Sequence, residues 1–174
     1  MIAAAFSDES RIELKYLMKK AAAENAIKLP FRHGLDREQA NSVIGYHITL
    51  FNWSSEKDAE MFSRLEGFSF TGEFKVTAEK LYLTHGHDDS LLLCLKIKTD
   101  SRFSELTEKL GERLKHKVGE HPHITLAVSK DHDEIHKFYK RIKAQGVFPI
   151  ELTADHLEVY KIGAVTEKVS EIRN

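Results

Sequence analysis

Two stretches decide how this chain is to be read: Tyr46-His47-Ile48-Thr49-Leu50 and Pro122-His123-Ile124-Thr125-Leu126. Side chains of a β-strand alternate between faces, so His47 and Thr49 share one face while Ile48 and Leu50 take the other. His123 and Thr125 repeat this against Ile124 and Leu126. The repetition continues beyond the motif. Phe62 recurs as Phe138, and Thr77, Ala78, Glu79 and Leu81 return as Thr153, Ala154, Asp155 and Leu157, every pair lying 76 positions apart like His47 and His123. Ser10-Arg11-Ile12 echoes Ser101-Arg102-Phe103 at a longer offset, because the segment before His47 has no equal before His123. A fixed offset of this kind marks an internal duplication.

Periodicity supplies the elements around the motifs. Ile2–Phe6 reads as a strand. Glu9–Ala26 reads as an amphipathic helix capped by Ser7 or Asp8, with Ile12, Tyr16, Leu17 and Ala21 on its apolar side. Residues 28–45 lack a period and read as a long loop of the kind that serves as a lid or binding segment. Then follow a strand over Tyr46–Phe51, a helix over Glu56–Leu65 opened by Ser54 or Ser55, and a strand over Phe74–Leu83. A turn at Gly86–Asp89 leads back along a strand over Leu91–Lys98. The second half repeats the plan: a helix over Phe103–Lys117 with Phe103, Leu106, Leu110 and Leu114 in register, a strand over His121–Val128, a helix over Asp133–Ala144, and three strand-like segments after Val147. The expected class is α+β: one bilobal domain spanning 1–174, internally duplicated, with two mainly antiparallel sheets flanked by helices and a central cleft.

The 174 residues are 41% hydrophobic and 30% charged, with a formal net charge of -1. That supports a packed core and predicts only a modest non-specific grip on a long polyanion. Cys94 lies in the apolar run Leu91–Ile97 and is expected to be a buried, inert thiol. No stretch approaches the ~20 apolar residues of a membrane span, and the apolar opening at Met1–Phe6 is too short for a leader. A soluble, unprocessed, cytoplasmic monomer is expected.

Brought face to face, the two motifs bracket one phosphate with two imidazoles and two hydroxyls. Cleaving a phosphodiester takes one proton from the attacking group and delivers another to the leaving oxygen. Two imidazoles, which titrate near ~6.5, can divide those tasks. Thr49 and Thr125 can donate hydrogen bonds to the non-bridging oxygens as charge builds there. Neither metal nor organic cofactor enters this scheme. The structural alternative, a duplicated strand that kept its histidine for packing, is disfavoured by a polar face opposite an aliphatic one.

A chain of this size with Tyr-His-Ile-Thr-Leu and Pro-His-Ile-Thr-Leu in its two halves resembles the two-histidine (2H) phosphoesterases, which include 2'-5' RNA ligase-like proteins and RNA 2',3'-cyclic phosphodiesterases. The resemblance implies the bilobal fold and a metal-independent opening of 2',3'-cyclic phosphates or 2'-5' linkages. It implies His47 as proton donor, His123 as proton acceptor, and Thr49 and Thr125 as phosphate ligands. Many such relatives carry arginine five places after the second histidine, where this chain has Val128. Lys130 or Arg32 are the candidates to replace it. Phe51 continues the His47 and Thr49 face and is a candidate platform for a base; Tyr46 points away.

His85-Gly86-His87-Asp88-Asp89 has metal-ligand composition but falls at an expected hairpin tip. His132 and His136 are one helical turn apart, yet the intervening glutamate is misplaced for a zinc motif. His121 shares the strand face of His123 as an edge residue. Glycine-rich phosphate loops are missing, so no nucleotide cofactor is expected. The expected partner is an RNA end or a small nucleotide bearing a cyclic phosphate. Three functions compete: a phosphodiesterase, a non-catalytic binder of RNA ends or nucleotides, and a metal hydrolase centred on His85 and His87. Cyclic nucleotides, RNA termini, 2'-5' oligonucleotides and cyclised ADP-ribose products all remain open as substrates.

Overall fold

β1 (Ile2–Phe6) is buried at every position, and the reason is its place between two other strands. In this computed structural model, which describes residues 1–23, 45–70, 72–86, 89–162 and 167–173, it pairs with β2 (His47–Phe51) on one edge and with β6 (Ile150–Lys161) on the other. The remaining strands are β3 (Phe74–His85), β4 (Leu91–Thr99), β5 (His123–Ser129) and β7 (Glu167–Ile172). The order is β1-β2-β5-β4-β3-β6-β7, all antiparallel, and the β1–β6 pairing closes the first six strands into a barrel-like ring. Four α-helices are described: α1 (Asp8–Ala23), α2 (Asp58–Leu65), α3 (Ser101–Leu114) and α4 (His132–Ala144), with a 3-10 turn at Ser55–Lys57 leading into α2.

One face of this ring is the core. Across six strands, a single row of residues in register runs Leu157, Ala4, Ile48, Ile124, Leu95, Leu81, and every member is 8% exposed or less. Leu14 and Met18 of α1, Leu110 of α3 and Phe138 of α4 close over the same cluster. Burying a side chain of this size contributes roughly 1.5–3 kcal/mol, so the aliphatic half of each motif fixes its strand in place.

Several expectations are corrected. The strands form one continuous sheet, not two, because β2 meets β5 at Ile48 and Ile124 and β3 meets β6. After Val147 the described chain forms two strands, β6 running unbroken for 12 residues because it serves β3 with its first half and β1 and β7 with its second. Helix α1 buries Ser10, Leu14, Leu17, Met18 and Ala21, leaving Ile12 and Tyr16 64% and 68% exposed. Ser10 enters the interior because its hydroxyl accepts from the Thr153 amide at 2.8 Å. Ser7 accepts from Ser10 N at the start of α1, whereas neither Ser54 nor Lys57 caps with a side chain. The expected loop at 28–45 falls outside the described residues except for Gly45.

Candidate functional site

The ring carries the two motifs on adjacent strands. Ile48 lies opposite Ile124, and antiparallel pairing about that point sets Thr49 toward His123 and His47 toward Thr125, with all four on the face away from the core row. His47 is buried and His123 half-buried; Thr125 is buried and Thr49 half-buried.

Both rings are held alike. His47 Nδ1 lies 2.8 Å from the Gly45 carbonyl, and His123 Nδ1 lies 2.9 Å from the His121 carbonyl. A carbonyl only accepts, so each Nδ1 carries the proton and each Nε2 is the atom turned to its surroundings. The accepting carbonyls themselves, of Gly45 and His121, are again 76 positions apart. His47 Nε2 reaches Thr49 Oγ1 at 3.2 Å, which confirms that the i and i+2 side chains share a face.

Extending the register outward defines the rest of this face. Beyond Thr125 lie Cys94 and Tyr82; beyond His123 lie Lys96 and Lys80. On the other flank, Ala5 follows His47 and Ala3 follows Thr49, and these lead to His156 and Glu158 of β6. Cys94 is fully buried, as expected, but its thiol points to the motif face, 3.9 Å from Thr125 Oγ1. Burial, with Cys94 next, pushes the Tyr82 hydroxyl above its ordinary value.

Two register shifts overturn simple alternation. Between Thr49 and Phe51 the pairing with β1 slips, so Phe51 faces Ile2 on the core side. There its ring stacks on His116 at 5.1 Å and on Trp53 at 6.0 Å, which takes it off the face it was expected to extend. On β5 the pairing with β4 slips between Thr125 and Ala127. Ala127 thereby joins Leu93 and the core, while Val128 pairs with Leu92 on the motif side. An arginine at 128 would thus face the histidines, a consequence of the bulge that strict alternation misses. Val128, 7% exposed, makes that part of the wall apolar.

Of the other expected residues, Lys130 is exposed beyond the end of β5, and Arg32 lies outside the described residues. Tyr46 packs against the core as expected. His121 is exposed and contributes its carbonyl. At the hairpin tip, Gly86 N donates to Ser90 O, and His132 Nε2 donates to the Asp89 carbonyl at 2.8 Å. His132 is therefore tied to the hairpin and not to His136; His87 and Asp88 lie outside the described residues.

Sequence reasoning missed a polar network at the far end of the same face. Glu158, buried on β6, accepts from the Tyr160 hydroxyl at 2.5 Å, from Arg11 at 3.5 Å and from Lys168 at 3.4 Å, with His156 Nε2 at 3.4 Å. Burial raises the Glu158 carboxyl, but the bonds from His156 and Tyr160 and the charges of Arg11 and Lys168 outweigh it and bring it to about 2. His156 is raised, chiefly by its bond to Glu158. His156, Glu158 and Glu171 have ligand atoms within 4.8 Å of one another. Lys168 stands 2.9 Å from Glu171 as well, so ammonium and guanidinium groups already balance these carboxylates.

A family model described as the 2'-5' RNA ligase superfamily matches residues 39–166. Among solved structures, the chain is similar to the structure of Kluyveromyces marxianus Usb1, at 9% identity and a TM-score of 0.47, covering 99% of this chain and 96% of that one. None of the curated proteins matches.

Proposed function

This chain belongs to the 2'-5' RNA ligase superfamily, and from that membership we propose that it is a metal-independent phosphodiesterase. Its substrates on this reading are 2',3'-cyclic phosphates, at RNA ends or on nucleotides, or 2'-5' linkages. The carrying observation is the pair of histidines held alike at one ring nitrogen, each with Nδ1 on the carbonyl two residues back.

His47 and His123 are diagonal neighbours across β2 and β5, a relation that separates Cα atoms by about 7–8 Å in a regular sheet. On this reading one phosphoryl group lies between the two rings with a hydrogen bond to each. In the proposed reaction His123 Nε2 takes a proton from water as its oxygen bonds to phosphorus. The bond from phosphorus to one ribose oxygen breaks, and His47 Nε2 gives that oxygen its proton. The Thr49 and Thr125 hydroxyls donate to the non-bridging oxygens, one from each strand. Solvent resets both rings.

A bilobal, duplicated plan for residues 1–174 belongs to the same proposal. It is supported by the 76-residue offset and by a register in which Lys80 and Tyr82 occupy, about the Ile48 and Ile124 pair, the places of His156 and Glu158.

Turnover of a 2',3'-cyclic nucleotide tests the reading: His47→Ala and His123→Ala should each lower it by about 10² to 10⁴. Retention of activity within a few-fold of wild type in both variants would end the acid-base scheme. The buried Val128, where an arginine would face the phosphate, favours a second reading, a non-catalytic binder of nucleotides or RNA ends. Saturable binding by the wild-type protein without any turnover would select it.

A further inference from the structure

We propose that Lys96 and Lys80 form the phosphate-binding cation pair of this site, Lys96 serving the reacting phosphodiester and Lys80 the next phosphate of an RNA end. The inference rests on the two-histidine reading and names the substrate class it serves, an oligonucleotide terminus over a mononucleotide.

Three observations converge. First, register: Lys96 is directly opposite His123 on β4, and Lys80 is directly opposite Lys96 on β3. The three side chains therefore stand side by side on the motif face, with Cβ atoms of successive neighbours about 4.5–5.5 Å apart. A lysine stem spans such a gap and places its ammonium beside an anion held at the histidine. Secondly, charge: like charges directly opposite on neighbouring strands destabilise a sheet, and both lysines are exposed with no carboxylate within 4 Å among the described residues. A bound phosphate would supply the counter-charge that relieves this repulsion. Thirdly, asymmetry: the position equivalent to Lys96 on the other flank of the site is Ala5, next to His47. On the His47 flank Arg11 and Lys168 are paired with Glu158 and Glu171, so the cationic charge left for a ligand lies on the His123 side and the nucleic-acid backbone leaves the site over β4 and β3. The small Ala3 and Ala5 leave room on the opposite flank.

The apolar Val128 fits this scheme. Val128 and Lys96 lie on the same face, on either side of the row that carries Thr125 and Cys94. The cation that balances the phosphate is then on the strand beside that of the second histidine.

Wild type, Lys96→Ala, Lys96→Gln, Lys96→Arg, Lys80→Ala and His123→Ala are assayed on 2',3'-cyclic AMP and on a diadenylate ending in a 2',3'-cyclic phosphate. Binding of adenosine 2'-monophosphate is followed by calorimetry at several salt concentrations. Neutral substitutions at Lys96 are expected to raise KM on both substrates by about 10- to 100-fold, the scale of a lost charge-assisted hydrogen bond. Lys96→Arg is expected to recover most of it. Lys80→Ala is expected to raise KM on the dinucleotide alone, and the neutral substitutions at Lys96 should flatten the salt dependence of binding. In the absence of nucleotide, the same substitutions should raise the thermal midpoint, because repulsion is relieved; a merely structural role predicts the opposite sign. Unchanged KM and salt dependence in the lysine variants, with His123→Ala inactive, overturn the cation pair and leave the two-histidine reading standing. A wild-type protein that neither turns over nor binds any of the three nucleotides overturns both.

Discussion

Glu158 shows how one buried carboxylate is kept charged. Its position between Ala3 of β1 and Glu171 of β7 removes it from water, yet Tyr160, Arg11, Lys168 and His156 all bring it donors or positive charge. The signs of the two titrations differ. Glu158 is lowered from 4.5 to about 2, so its contribution is fully present above 4.5 and is lost as pH falls from there toward about 2. His156 is raised from 6.5, so its contribution is present below 6.5 and is lost as pH rises through the raised value. Urea unfolding across a pH series should therefore show stability falling off in acid below about 4.5 and also above about 6.5. Glu158→Gln should cost about 1–3 kcal/mol at pH 6 and flatten both limbs, since Glu158 is the largest cause of the His156 shift. A variant with the wild-type pH profile would show that the network does not couple. At this scale the motif was legible: His47, Thr49, His123 and Thr125 were read from residue type and spacing, and the structure places them on one face. The Glu158 network was not, because its donors come from α1, β6 and β7, and no local spacing links Arg11 to Glu158.

Elements were read well where a period ran unbroken and poorly where it slipped. Helices α3 and α4 follow the expected 3.6-residue pattern, with Phe103, Leu106, Leu110 and Leu114 buried in α3 and Ile135, Phe138 and Ile142 in α4. Asp100 and Asp131 cap them, accepting from Phe103 N and Glu134 N at 3.0 Å each. Strands β2 and β5, by contrast, each contain a register shift that sends the residues after it to the opposite face. Phe51 was misplaced by alternation for that reason. Gly119 presents an element-scale test. Its φ of +66° is costly for any side chain, and a Cβ there would come within 2.7 Å of Thr107 Cγ2 and 3.3 Å of Phe103. Its amide donates to the Leu50 carbonyl at 2.9 Å, tying the segment after α3 to β2. Gly119→Ala should destabilise by about 1–3 kcal/mol in denaturant unfolding. A neutral effect would mean the segment can move off α3 without loss.

At the scale of the molecule, the ring is held at the site by its briefest junction. β2 and β5 are paired at Ile48 and Ile124 only, while both flanks are anchored by longer ladders to β1 and β4. Ile124→Ala should cost about 2–5 kcal/mol, as large-to-small core substitutions do. It should also reduce cyclic-nucleotide turnover beyond what stability explains, since the two histidines keep their spacing through that pair. Equal activity per folded molecule would show that spacing is set elsewhere. Among the described residues no helix is long and apolar enough to cross a membrane.

Most strands and helices and the four motif side chains were legible along the chain, because they follow from periodicities of two and 3.6, and so was the 76-position offset between the two motifs. Only the tertiary structure decided that the motif strands are neighbours in one closed sheet, that bulges turn Phe51 away and Val128 inward, and that Lys96 and Lys80 stand beside His123. Register across strands is set by how bulges and core side chains pack between segments distant in sequence, and no local pattern encodes which residue ends up opposite which.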